Sequence, residues 1–185
     1  MSESSDRLDA ALDRARNGDP HGFDELFRAY ASSVVGYLRA RRVTDPDDLA
    51  NEVFVRAFRN IHTVRGDSDR FRSWLFGIAH NAAVDDARRR RRRPRETVLE
   101  VWNSPSGGDV ESDAFSELER QSVHNMIDEL APDQRDVLLL RVVGDLSVAQ
   151  TAAVLDKSYE AVKALQRRGL GALRRKIEAD TGVPK

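Results

Sequence analysis

Apolar side chains in this 185-residue chain recur every three or four positions, and no stretch alternates over the length of a strand. Leu8, Ala11, Leu12 and Ala15 set the first helical face, within Asp6 to Asn17, which Gly18 ends; Met1 to Ser5 reads as a frayed tail. Asp19-Pro20 then supplies a cap and a proline for the first turn, followed by Phe23, Leu26, Phe27, Tyr30, Val34, Tyr37 and Leu38 on one side. Thr44-Asp45-Pro46 repeats that start signal before Leu49, Val53, Ala57 and Ile61, with Phe54 and Phe58 on a second face beside Arg56 and Arg59. After a polar loop from Arg65 to Asp69, a long helix runs from Phe71, with Trp74, Leu75, Ile78 and Ala82, into an arginine block; Phe71, Trp74, Leu75 and Ile78 read as core. The expectation is an all-α fold, with four helices in residues 1–93.

Residues 94–113 read as a flexible linker, with Pro94, Pro105, Gly107 and Gly108 breaking any helix. They also carry an apolar patch at Val98, Leu99, Val101 and Trp102, which either docks on a domain or meets a partner. A second domain, residues 114–185, opens with a helix of acidic surface from Ala114 to Leu130. Pro132 starts the next, in which Leu138 to Leu140, Val142 and Val143 are apolar nearly all round and should be buried against the helix pair after it. That domain too should have four helices.

The helix pair is DLSVAQTAAVLDKSYEAVKALQRRGLGALRRK, Asp145 to Lys176: a short helix, a tight turn and a longer basic helix. Ser147 and Gln150 have capping-box spacing, and Val148, Ala152 and Leu155 give the short helix one buried face. Asp156-Lys157-Ser158 forms the turn, and Ser158 is a good cap for the second helix. Val162, Leu165, Gly169, Leu173 and Ile177 form its inward stripe, leaving Tyr159, Glu160, Lys163, Ala164, Arg167 and Arg168 outward. Six Lys/Arg against one acid between Tyr159 and Lys176 make that helix strongly basic. A basic helix presented by a preceding helix fits the major groove of duplex DNA, its first turns at base edges and its cations at phosphates. Asp156 and Lys157 stand where a glycine and an apolar residue would be easier to place, and Gly169 and Gly171 each cost about 1 kcal/mol in a helix interior. Gly169 reads as a close-packing site.

The net charge of −1 conceals segregation. Arg88 to Arg95 holds seven arginines in eight positions, whereas Asp109 to Asp136 holds nine acids against two arginines. Blocks of both signs suggest a polyanion partner and a separate acidic face. The chain has no cysteine, so no disulfide or thiolate metal site. His21, His62, His80 and His124 lie in separate segments without metal-ligand spacing, and neither a phosphate-binding glycine loop nor a nucleophile signature occurs. The cluster Asp45, Asp47 and Asp48 is an ordinary acidic helix start. No enzyme activity, metal or cofactor is expected. With no signal peptide or apolar run of membrane length, the expected location is the cytoplasm, including the nucleoid.

Together, three stretches resemble the extracytoplasmic-function (ECF) group of bacterial RNA polymerase sigma factors. DDLANEVFVRAFR resembles the family's core-polymerase-binding helix, which implies that Asp48, Leu49, Asn51, Glu52, Phe54 and Arg56 face the clamp helices of the largest polymerase subunit; Asn51 stands where the family commonly has glutamine. FRSWLFGIAHNAAVDDARRRRRR is similar to the helix that melts the promoter and reads its −10 element. Its surface candidates are His80, Asn81, Asp85, Arg88 and Arg89, with His80 replacing a common arginine. The resemblance implies that Asn81 and the loop from His62 to Arg70 capture a flipped base of the non-template strand. AVKALQRRGLGALRR resembles the −35-reading helix, with Ser158, Tyr159, Glu160, Lys163, Arg167 and Arg168 towards DNA. In this reading Lys163 and the arginines hold phosphates, while Tyr159, Glu160 and Ala164 are where base preference can arise. The linker acids Asp109, Glu111 and Asp113 would lie in the positively lined path to the active site and RNA exit.

The resemblance thus implies two domains that bind core RNA polymerase and promoter DNA to direct transcription initiation. The alternative is a stand-alone helix-turn-helix regulator, which leaves Asp48 to Arg59 and the tryptophan in the linker unexplained. Because both reading faces are apolar and basic, the free monomer is expected to be autoinhibited or held by an anti-sigma factor.

Overall fold

The computed structural model describes residues 2–92 and 126–180, and among them every regular element is a helix. In order these are α1 (Ser2–Arg16), α2 (Pro20–Ala40), α3 (Pro46–Arg59), a 3-10 turn (Ile61–Thr63), α4 (Ser68–Arg92), α5 (Pro132–Val142), α6 (Val148–Leu155) and α7 (Tyr159–Asp180), with residues 126–128 also helical. The linker patch, the linker acids and most of the acidic helix expected from Ala114 lie outside the described residues. The first helix starts at Ser2, against the expected frayed tail to Ser5.

Capping follows the sequence closely. The Asp19 carboxylate accepts from the His21 N–H at 2.9 Å, and Asp45 accepts from the Asp48 N–H at 3.0 Å, each with proline at the first helical position. Ser147 and Gln150 close a reciprocal capping box at 3.1 and 2.7 Å. Between α1 and α2 the backbones touch at Gly22, where a Cβ would stand 2.5 Å from the Ala15 nitrogen.

The helices α1 to α4 enclose a core in which Leu12, Leu26, Tyr37, Phe71, Leu75 and Phe76 are fully buried. Trp74 and Ile78 depart from expectation: both are half-buried, and Phe76 takes the interior place. The reason is that α4 is covered on two sides. Tyr37 of α2 meets the Phe76 ring edge-on at 5.7 Å, and Gly144, from the turn after α5, lies against the same ring. Phe27, expected inward, is 40% exposed and tilts onto Phe54 at 4.8 Å.

The second half does not stand apart. Leu139, Leu140 and Leu146 join the core of the first half, while Val137, Ala152, Val162 and Leu165 make a small cluster of their own. Ion pairs Arg41–Asp136, Arg42–Asp128 and Arg72–Asp145 cross between the halves. Two expected core positions are corrected: Val142 is 72% exposed and Ile177 50% exposed. At ~1.5 Å rise per residue, the 22-residue α7 outruns the 11-residue α5 by about 16 Å, so α5 does not cover its whole length. Gly169 meets its expectation, since a Cβ there would press on Leu138 at 2.9 Å.

Candidate nucleic-acid interface

One face of α4 and the loop before it form the wall of a cleft of about 950 Å³. Asn81 lies in it with Trp74, Ile78 and Gly77 from the turns below, and with residues Thr63 to Arg70 along its rim. The loop is held from behind by elements distant in sequence. The Ser68 N–H donates to the Asp9 carboxylate of α1 at 2.7 Å, and hydrogen bonding from the Ser68 hydroxyl, with that N–H, holds the Asp9 pKa below the usual carboxylate value. Arg16 donates to the Gly66 carbonyl at 2.6 Å, where φ is +105° and a side chain would be strained. Tyr30, its phenol pushed up to about 12 by burial, reaches the Ser68 carbonyl at 3.4 Å. This bracing by α1 carried no signal in the sequence.

Asn81, exposed and in the cleft, can offer both amide donor and acceptor to the edge of an unpaired base. His80 sits otherwise. Its Nδ1 lies 2.9 Å from the Tyr37 hydroxyl, and burial, with the nearby Arg41 charge, lowers its pKa to about 4. A neutral, half-buried imidazole is a poor phosphate ligand at neutral pH. Asp85, Arg88 and Arg89 are exposed beyond the cleft, Asp85 and Arg88 paired at 3.5 Å. Arg90 instead ties α4 inward, to Asp86 at 3.1 Å and to the Arg42 carbonyl.

The basic face of α7 is presented as expected. Ser158 caps the helix by accepting from the Ala161 N–H at 3.2 Å, and Tyr159, Glu160, Lys163, Arg167 and Arg168 are exposed. Lys163 lies over the Tyr159 ring, 5.6 Å from its centroid, which draws the two side chains together at the start of the helix. The turn tolerates Asp156 because it takes the left-handed conformation at φ 51°, one of the few residues that do so at modest cost. Arg141 of α5, absent from the expected set, flanks this face and donates to Gln166 at 3.3 Å.

On α3, Asp48, Asn51, Glu52 and Arg56 are exposed, with Glu52 and Arg56 paired at 3.3 Å. Leu49 and Phe54 are buried, so neither presents a side chain outward in this arrangement. The apolar second face expected there is covered by Phe23 and Phe27 of α2, leaving Val55, 47% exposed, as its apolar contribution to the surface. The cleft also has a wall no local pattern announced: Ala149, Gln150, Ala153 and Val154 of α6 stand opposite α4.

Known proteins match both halves. Residues 26–93 match the Sigma-70 region 2 family and residues 120–173 the Sigma-70, region 4 family. ECF RNA polymerase sigma factor SigD of Mycobacterium tuberculosis is 31% identical across 97% of this chain and 88% of its own. The chain belongs to the ECF sigma factors. The ECF RNA polymerase sigma-E factor of Escherichia coli is 32% identical over 90% of this chain and 92% of its own. Among solved structures, CnrH in complex with the cytosolic domain of CnrY superposes with a TM-score of 0.69, at 26% identity over 94% of this chain and 99% of that one. As an ECF sigma factor the protein is a DNA-binding transcription initiation factor that acts with core RNA polymerase at promoters. No helix among the described residues is long and apolar enough to cross a membrane.

Proposed function

We propose that this sigma factor divides promoter reading between its halves, residues 1–93 taking melted −10 DNA and residues 114–185 taking −35 duplex. The cleft joining Asn81, Trp74 and the 63–70 loop carries the proposal, because it combines an edge-reading amide with an aromatic wall. In it a flipped base of the non-template strand is held, while Arg88 and Arg89 follow the backbone beyond. His80 helps by fixing α4 against Tyr37 rather than by touching DNA. On α7, Lys163, Arg167 and Arg168 hold phosphates, Ser158 orders the first turn, and Tyr159 and Glu160 meet base edges. Asp48, Asn51, Glu52 and Arg56 face polymerase as a charged rim, with Leu49 and Phe54 supporting them from beneath. The protein is non-catalytic, needs no cofactor, and works in the cytoplasm as a monomer until it joins polymerase. The match to CnrH, solved with CnrY, supports control by an anti-sigma factor.

The test is reconstituted transcription: sigma-free core polymerase, the purified protein and a promoter library, with transcripts sequenced from their 5′ ends. Specific starts preceded by a shared pair of elements are expected. Silence without co-elution with polymerase would favour the stand-alone regulator. Asn81→Ala should keep co-elution and lower open-complex yield about tenfold, the order of one lost base contact. An unchanged yield would remove Asn81 from the pocket.

A further inference from the structure

The loop at the rim of the cleft has two sides. Arg65 and Asp67 line the cleft, whereas their chain neighbours Gly66 and Ser68 do not. Both neighbours are held by α1. The Asp9 carboxylate accepts from the Ser68 N–H at 2.7 Å and from its hydroxyl, and Ser68 is buried. Seven positions on, on the same face of α1, Arg16 donates to the Gly66 carbonyl at 2.6 Å. Holding the backbone of alternate residues fixes where the side chains between them stand.

We propose that α1 sets the base preference of the cleft: Asp9 and Arg16 are positioning residues that hold Gly66 and Ser68, so that Arg65 and Asp67 stand where a captured −10 base is discriminated. This rests on the reading of that cleft as the −10 site. It goes further because α1 lies outside residues 26–93, the stretch that matches the Sigma-70 region 2 family. The Asp67 Oδ1 accepts from the Arg70 N–H at 2.9 Å, which leaves its second oxygen to accept from a base amino group. Arg65 offers donors to a base carbonyl.

The brace is stiff for three reasons. An acid meets donors and a cation meets a carbonyl, so both bonds are charge-assisted. Arg16 is itself oriented by Asp13, 2.8 Å from its other terminal nitrogen. The helix α1 is in turn fixed to α2 by the backbone contact at Gly22 and by the Arg14–Glu25 ion pair at 2.8 Å. The loop needs such a brace. Gly66, at φ +105°, has more conformations open to it than other residue types, and a site that discriminates must be held to about 0.5 Å.

The test transcribes the promoter library with core polymerase carrying the full chain, and reads base preference at each position upstream of the mapped starts. Asp9→Ala should lower the preference at one −10 position about tenfold, the order of one base contact, and leave −35 preference and co-elution within about twofold of the parent. A loss of stability alone would lower output from every promoter alike. Asp9→Asn keeps a carbonyl oxygen for the Ser68 donors, and should hold the preference within about threefold of the parent. Arg16→Ala should lower it about threefold at the same position, and decides the matter if Asp9→Ala fails to fold. Unchanged −10 preference in these alanine variants, with a loss in Asn81→Ala, would overturn the inference. So would an equal loss of preference at −35. Preference that survives Asn81→Ala would overturn the cleft reading instead, and no specific starts from the parent would overturn the proposed division of promoter reading.

Discussion

The two halves of this sigma factor are built to different standards of packing. The first, α1 to α4, encloses large side chains such as Tyr37, Phe71 and Phe76 at essentially no exposure and brings α1 and α2 into backbone contact at Gly22. Among the described residues, the second has Val137, Ala152, Val162 and Leu165 as a buried cluster of its own, with Val148 and Leu155 packed against it, and sends Leu139, Leu140 and Leu146 into its neighbour's core. Docking adds Leu139, Leu140 and Leu146 to the buried apolar surface, whereas the first half encloses its large side chains chiefly within its own helices. The difference also suits their tasks. Under the proposed division of promoter reading, the cleft beside Asn81 would draw on the rigid frame and the basic face of α7 on the more loosely packed half.

The comparison can be broken most sharply at Leu140, which is fully buried and belongs to the shared core. Leu140→Ala should cost about 2–5 kcal/mol and lower the unfolding midpoint of both halves together, read by urea titration with separate probes. If only the second half responds, the core is not shared. Next comes Gly22→Ala, where the added Cβ meets backbone at 2.5 Å rather than a side chain that can turn away; about 3 kcal/mol of destabilisation is expected in the same titration.

His80 supplies a pH signature for the first half. Above its ordinary pKa of 6.5 the imidazole is neutral whether folded or not. Below that value the unfolded chain takes up a proton that the folded site refuses until about pH 4. Stability should therefore fall by about 2 kcal/mol between pH 7 and pH 5, and His80→Gln should flatten that slope. The smallest effect should be Gly169→Ala in the second half. Its Cβ presses on the Leu138 Cδ1, the far end of a side chain that can turn, and better helix propensity offsets the crowding. Thermal melts should therefore move by the equivalent of less than about 1 kcal/mol. A loss as large as that at Gly22 would show the second half to be as tightly packed as the first.

Much of this was legible before any coordinates. The starts at Asp19, Asp45 and Ser147 depend on residues within one turn, so local chemistry was enough to place them. The inward stripe of α7 could be read for the same reason as far as Gly169, and it failed at Ile177, where the length of the facing helix matters. Trp74 and Ile78 were assigned to the core because helical spacing identifies an apolar face without saying what covers it. Asp9, fifty-nine residues from the loop it braces, could not be found from spacing at all.

The sequence by itself determined the helical class, the helix starts at Asp19, Asp45 and Ser147 and the basic face of α7, because periodicity, caps and charge are properties of neighbouring residues; the family was legible through the resemblance of three stretches. Only the tertiary structure decided that Phe54 and His80 turn inward, that α1 braces the 63–70 loop, and that α6 stands across the cleft beside Asn81. Those outcomes depend on which surfaces meet across long stretches of chain, and pairing of surfaces is settled by the packing and charge of the whole molecule.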